Sequence, residues 1–270
     1  MQGLRVGRRR LAALGAGVLL ALSVACRPEV SPLDPSLGAA ILTPDAKDHY
    51  GLTVADGVVT AAAPESNTGG NTRIAFWRSA DTASADQETC ATWVNAQSEL
   101  QQQGAALRVR TVNGRTTAIT ITDNILYFAR WNFNVHVMDS GAGQPFFRIA
   151  YFDLSDAFRT QPGAFTVWPY PWRMCARVVG DTVSLKVWPL KDPEPAWDDP
   201  KYGGSVTLPA GWDQAGLPGW YVGHLEPGDS VGFTDLSTAD LGQAQRRQAG
   251  VVAPVPTTPP RDPTWIPEAP

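Results

Sequence analysis

Cysteine and histidine are scarce in this 270-residue chain: three Cys (Cys26, Cys90, Cys175) and three His (His49, His136, His224), far apart in sequence. So few soft ligands at such spacings make a zinc site a poor expectation. Charge is sparse as well. Only 18% of residues are charged, and the net charge of -4 argues against a nucleic-acid partner. There is no H-E-x-x-H helix and no phosphate-cradling glycine loop. No long amphipathic helix is evident. Long hydrophobic runs are missing too: the apolar stretch Leu11–Ala25 has 15 residues, too few for a comfortable transmembrane helix.

That stretch has another use. Arg8, Arg9 and Arg10 precede it, Cys26 ends it, and Pro28 and Pro32 follow closely, which is the order of an export signal over residues 1–25. Leu22-Ser23-Val24-Ala25-Cys26 resembles a bacterial lipobox, although its usual Leu lies one residue early; Ser23-Val24-Ala25 also fits a small-x-small signal peptidase site. The expectation is lipidation at Cys26 and placement on the outer face of the cell membrane, with ordinary secretion as the alternative. The Arg8-Arg9 pair also resembles a twin-arginine signal, which leaves the export route open. With Cys26 lipidated, Cys90 and Cys175 are an even pair in an oxidising compartment, and a disulfide is expected. A loop of that length restricts the unfolded chain by roughly 4–5 kcal/mol in the entropic model.

Composition sets the fold class. With 43% hydrophobic residues, ten Trp, 25 Gly and 23 Pro, the mature chain can bury one substantial core. Its apolar residues recur at period two between turn signals, so the chain reads as all-β. Residues 26–45 read as a Pro-rich tether, 46–242 as one domain, and 243–270 as a disordered Pro-rich tail. Neither end carries enough apolar surface to offset its ordering entropy.

Two hairpins follow from alternation. Over 174–188 a two-residue Gly180-Asp181 turn pairs Val178 with Val183, Ala176 with Leu185 and Met174 with Val187 on one apolar face. The opposite face holds Val179, Arg177, Cys175, Ser184, Lys186 and Trp188 and is expected to be exposed, as in a two-sheet antiparallel sandwich. Over 107–121 a two-residue Asn113-Gly114 loop would set Arg108 against Ile119, so a three-residue loop Val112-Asn113-Gly114 is expected instead, with Leu107 opposite Ile119 and Val109 opposite Thr117. Along 133–139, Phe133, Val135 and Val137 share one side, and Asn134, His136 and Met138 the other.

The run RVVGDTVSLKVWPLKDPEPAW (177–197), followed by GWYVGHLEPGDSVGFTDLSTADL (219–241), resembles the closing strands of concanavalin A-like lectin/glucanase domains, LamG-type modules included. A G-D-x hairpin ending in K-x-W-P is followed by a loop, then by a last strand with the F-x-D-L pattern, here Phe233–Leu236. The resemblance implies a concanavalin-like jelly roll, a face of which often holds carbohydrate in relatives. Retaining glucanases of that fold resemble one another in an E-x-D-x-x-E strand, which this chain does not contain. Its densest acidic cluster, Asp192, Glu194, Asp198 and Asp199, lies in a Pro-rich loop, where calcium is a weaker expectation than a solvated surface.

Sugars stack on aromatic rings beside polar side chains. Trp168, Tyr170 and Trp172 of WPYPW, then Trp188 with Arg177 and Lys186, and Asn134 with His136, are the residues expected to bind such a ligand. Trp131, Trp212 and Trp220 are read as core. The reading is therefore an exported envelope protein whose β-sandwich binds a polysaccharide without cleaving it. A glycoside hydrolase or other sugar-processing enzyme on the same fold, and a structural or protein-interaction module, stand as alternatives. Oligomeric state is not legible.

Overall fold

The computed structural model describes residues 32–43, 50–65, 72–95, 101–126, 130–161 and 169–242, the side chains at 125, 126 and 130 excepted. Along them run β1 (Leu37–Ile41), β2 (Gly51–Ala55), β3 (Val58–Ala62), β4 (Arg73–Arg78), β5 (Gln87–Trp93), β6 (Gln102–Val112), β7 (Arg115–Leu126), β8 (Arg130–Asp139) and β9 (Phe146–Asp153). After the short helix α1 (Ser155–Phe158) come β10 (Trp172–Val179), β11 (Thr182–Pro189), β12 (Gly203–Thr207), β13 (Leu217–Gly223) and β14 (Ser230–Asp240). They form two seven-stranded sheets, the first ordered β12-β11-β10-β5-β14-β3-β2 and the second β1-β4-β13-β6-β7-β8-β9. Every ladder pairing is antiparallel. This is the all-β two-sheet sandwich expected from the alternation, consistent with a concanavalin-like jelly roll.

Period-two alternation fills the space between the sheets. Met174, Ala176, Val178, Val183, Leu185 and Val187 of the first sheet face Ile119, Ile121, Phe133, Val135 and Val137 of the second, all in one buried cluster. At one end the core is aromatic: the Phe158 and Trp172 rings lie 4.5 Å apart, and Trp93 stacks on Phe133 at 6.2 Å.

The β10–β11 hairpin has the expected register, Val178 opposite Val183, Ala176 opposite Leu185, Met174 opposite Val187. Gly180, at φ +60°, supplies the left-handed residue of its turn. The β6–β7 hairpin departs from expectation. Val112 pairs with Arg115, so the loop is the two-residue Asn113-Gly114 turn, with both residues at positive φ (51° and 78°). Leu107 still faces Ile119, because a β-bulge between Leu107 and Arg110 absorbs the mismatch. An Asn-Gly pair so strongly favours this turn that the irregularity moves into the strand, at Arg108 (φ +50°).

The tether expected over 26–45 also needs correction. Residues from Pro32 are part of the fold: β1 pairs with β4 at the edge of the second sheet, and Leu37 and Leu42 are buried. Those two leucines supply apolar surface, and Pro35 sits just before the strand, where no ladder hydrogen bond is lost. Residues 1–31 and 243–270, and with them the export signal, Cys26 and the tail, lie outside the described residues. Among the described residues no helix is long and apolar enough to cross a membrane.

Candidate functional site

Each sheet has one face turned away from the core, and the two differ. On the first sheet Cys90 and Cys175 are directly opposed in register and joined as a disulfide, the expected pair. Trp188 lies against this bridge with Trp197 and Tyr202. The segment after β11, expected as a solvated acidic loop, folds back over the face. Lys186 Nζ donates to Glu194 Oε1 at 2.6 Å and to the Pro195 carbonyl at 2.9 Å, and it sits 4.6 Å from the Trp197 ring centroid. Arg177 lies 4.2 Å over the same ring, and the Ser184 and Ser205 hydroxyls hydrogen-bond. Beneath this cover, burial raises the Glu88 carboxyl and lowers the Arg177 guanidinium from their ordinary values.

Exposure of this face was the premise for Trp188, Lys186 and Arg177 as ligand contacts, and it does not hold. Trp188 is 2% exposed and Lys186 4% exposed, since alternation says which side of a strand a residue takes but not what a distant loop lays over it. Trp172 points into the core instead, 1% exposed, with Tyr170 half-buried and stacked on it at 4.3 Å. Trp168 lies outside the described residues. Trp131 and Trp220 fill the core as expected, and Trp212 is half-buried against it.

Asn134 and His136 do point away from the core, on the second sheet. The β7–β8 and β8–β9 registers set Thr120 beside His136, Thr122 beside Asn134, Asn134 opposite Tyr151 and His136 opposite Arg148. A bulge between the Val135 and His136 pairings brings Arg148 and Tyr151 to the same face. Arg148 Nη1 donates to Asn134 Oδ1 at 3.3 Å and lies 5.5 Å over the Tyr151 ring. His136 meets the Phe146 ring edge-on, with Arg73 over Phe146 at 4.7 Å. Tyr151 is 39% exposed, whereas Thr120, Thr122, Asn132, Asn134 and His136 are buried. Thr120 Oγ1, Thr122 Oγ1, Asn132 Oδ1 and Asn134 Nδ2 have no hydrogen-bond partner. Unmet buried polar atoms cost about 1–3 kcal/mol each. The four lie on one face of two adjoining strands, β7 and β8, donors and acceptors both, an array that a polyhydroxylated ligand reaching them can satisfy. Tyr151 and Arg148 were missed in the sequence: alternation along FFRIAYFD (146–153) puts them on opposite faces, and only the bulge brings them together.

On the core side of β7, Asp123 is 2% exposed and accepts the Gln103 N–H at 2.6 Å. Burial pushes its carboxyl up to about 8, and burial together with nearby Asp123 raises the Tyr170 phenol. The acid is thus held neutral at physiological pH, inside the sandwich rather than on a substrate face.

Among the described residues no group of three or more His, Cys, Asp or Glu is arranged to hold a metal. In the acidic loop after β11, Asp192 pairs with Lys191, Glu194 with Lys186, and Asp199 Oδ1 accepts the Lys201 N–H. Gly228-Asp229-Ser230-Val231-Gly232 spells G-x-S-x-G, but Ser230 opens strand β14, whereas a nucleophile elbow joins a strand to a helix.

No family model and no curated protein matches the chain. Among solved structures it is similar to the exoplasmic/lumenal domain of VIP36 in a Ca2+/Man3GlcNAc-bound form, at 12% identity and TM-score 0.46, over 79% of this chain and 89% of that one. It is similar to the CBM2 module of the Lactobacillus casei BL23 phage J-1 evolved Dit, at 11% identity and TM-score 0.43, over 77% and 91%. It is also similar to the alginate lyase from Klebsiella pneumoniae, at 12% identity and TM-score 0.42, over 73% and 86%.

Proposed function

We propose that this is an exported, lipid-anchored envelope protein whose sandwich binds a glycan on the outer face of the second sheet without cleaving it. The observation that carries the binding half is the row Thr120, Thr122, Asn132 and Asn134, with its four unmet polar atoms beside the exposed Tyr151 ring and the Arg148 guanidinium. Sugar hydroxyls donate and accept at once and match such a mixed row, while the apolar face of a pyranose stacks on a phenol ring. The address rests on the basic n-region, the short apolar run and Cys26.

A sugar-processing enzyme on the same face is the second reading, favoured by one observation: the imidazole of His136 shares that surface with Arg148 and Tyr151, groups able to move a proton and to hold an anion. Titrating the mature protein against a panel of envelope polysaccharides, with release of reducing or unsaturated ends followed in the same wells, separates the two. Binding without end formation supports the first reading, and turnover abolished by His136→Ala supports the second. For the anchor, wild type partitioning with membranes and Cys26→Ser becoming soluble is the expected pair of results, since two acyl chains supply anchoring that a net acidic chain cannot.

A further inference from the structure

The bulge at Arg108 has a second consequence at the end of the sandwich. Arg108 is buried there, its guanidinium donating to the carbonyls of Ala85 (2.7 Å), Trp212 (2.5 Å) and Gly180 (2.7 Å), with Asp86 at 3.8 Å. Beyond the bulge, Arg110 pairs with Thr117 rather than Thr116. A cleft of about 670 Å3 opens at this point, lined among others by Arg108, Arg110, Arg115, Asp139, Trp212 and Gln214.

Its charges do not balance. Arg108 is matched by Asp86 and Arg115 by Asp139, which takes both guanidinium nitrogens and is itself held below the usual carboxylate range by that pairing. Arg110 is exposed and donates to the neutral amide oxygen of Gln214; among the described residues no carboxylate pairs with it. An unpaired planar cation, two amide-type groups (Asn113 and Gln214) and a half-buried indole line one concavity. We propose that this cleft binds an acid-bearing sugar, its carboxylate or sulfate taken by Arg110, its ring against Trp212 and its hydroxyls by the neutral side chains. Guanidinium forks match such oxyanions bidentately, and indoles stack on the apolar faces of sugar rings. The site lies at the β6–β7 hairpin and does not depend on the surface around Asn134.

The test is calorimetric titration of the mature full-length protein with hexagalacturonate, with neutral galactohexaose and with sodium sulfate, at low and moderate salt. Hexagalacturonate is expected to bind and galactohexaose to bind at least tenfold more weakly. Arg110→Gln is expected to reduce hexagalacturonate affinity at least tenfold and to flatten its salt dependence, with the melting temperature unchanged because Arg110 is exposed. Trp212→Leu should also weaken it, while Lys191→Gln, a change of equal charge elsewhere, and Tyr151→Ala should leave it intact. The proposal is overturned by equal affinity for the neutral hexamer, by unchanged affinity in Arg110→Gln, by sulfate binding as tightly as the hexamer, or by no binding of hexagalacturonate at low salt.

Discussion

The outer face of the first sheet, with Arg177, Ser184, Lys186 and Trp188, and that of the second, with Thr120, Thr122, Asn134 and His136, look alike as strings of alternating residues. In the folded protein they have opposite fates. The first is stapled by Cys90–Cys175 and covered by the 190–202 segment, so that Lys186 finds Glu194 and Arg177 finds Trp197, while Ser184 meets Ser205 on the neighbouring strand β12. The second has buried polar atoms that no residue answers. On the proposed reading the first face, which supplies its own partners, is structural, and the second, which leaves them unmet, takes the ligand.

The largest expected effect lies under the second sheet. In the unfolded chain Asp123 titrates near its ordinary value of 3.8, and in the fold near 8. Below about pH 4 both states hold the proton and stability is full; between about pH 4 and 8 only the folded state holds it, so stability falls as pH rises and levels off above 8. At about 1.4 kcal/mol per pH unit the loss is on the order of 5 kcal/mol, read as the urea midpoint against pH, and Asp123→Asn should flatten that limb.

Next comes the closed face. Trp188→Ala should lose about 3–5 kcal/mol by emptying a packed site, with glycan binding of the surviving folded protein unchanged. Cys175→Ala should lose about 2–5 kcal/mol. The smallest effect sharpens the contrast most. Ser184→Ala breaks a satisfied buried pair and should cost about 1 kcal/mol, whereas Thr120→Val removes an unsatisfied hydroxyl and should be neutral or stabilising by up to about 1 kcal/mol while weakening glycan binding. Chemical denaturation of the two variants side by side decides this; equal losses would erase the distinction between the faces.

What was legible in the sequence was local. The β10–β11 register followed from Gly180-Asp181 and strict alternation, the disulfide from an even pair of thiols, the two-sheet fold from period two. What was not legible came from contacts distant in sequence. Trp188 is buried by Trp197 and Tyr202 across a Pro-rich, acidic segment that reads as solvated. The β6–β7 hairpin keeps its Asn-Gly turn because Arg108 can occupy a bulge, and it can do so because Asp86, Ala85, Gly180 and Trp212, all far along the chain, receive its guanidinium. Asn134 and His136 were placed on the right strand face, but their neighbours Arg148 and Tyr151 depend on a bulge in β9 that alternation does not announce.

The most direct measurement is calorimetric titration of wild type, Tyr151→Ala and Trp197→Ala with the neutral envelope polysaccharide that the mature protein binds best. Tyr151 is the exposed ring on the second sheet and Trp197 the half-buried ring over the first. Tyr151→Ala should weaken binding about tenfold, roughly 1.4 kcal/mol, and Trp197→Ala should leave it unchanged. Binding lost in Trp197→Ala and kept in Tyr151→Ala would contradict the account.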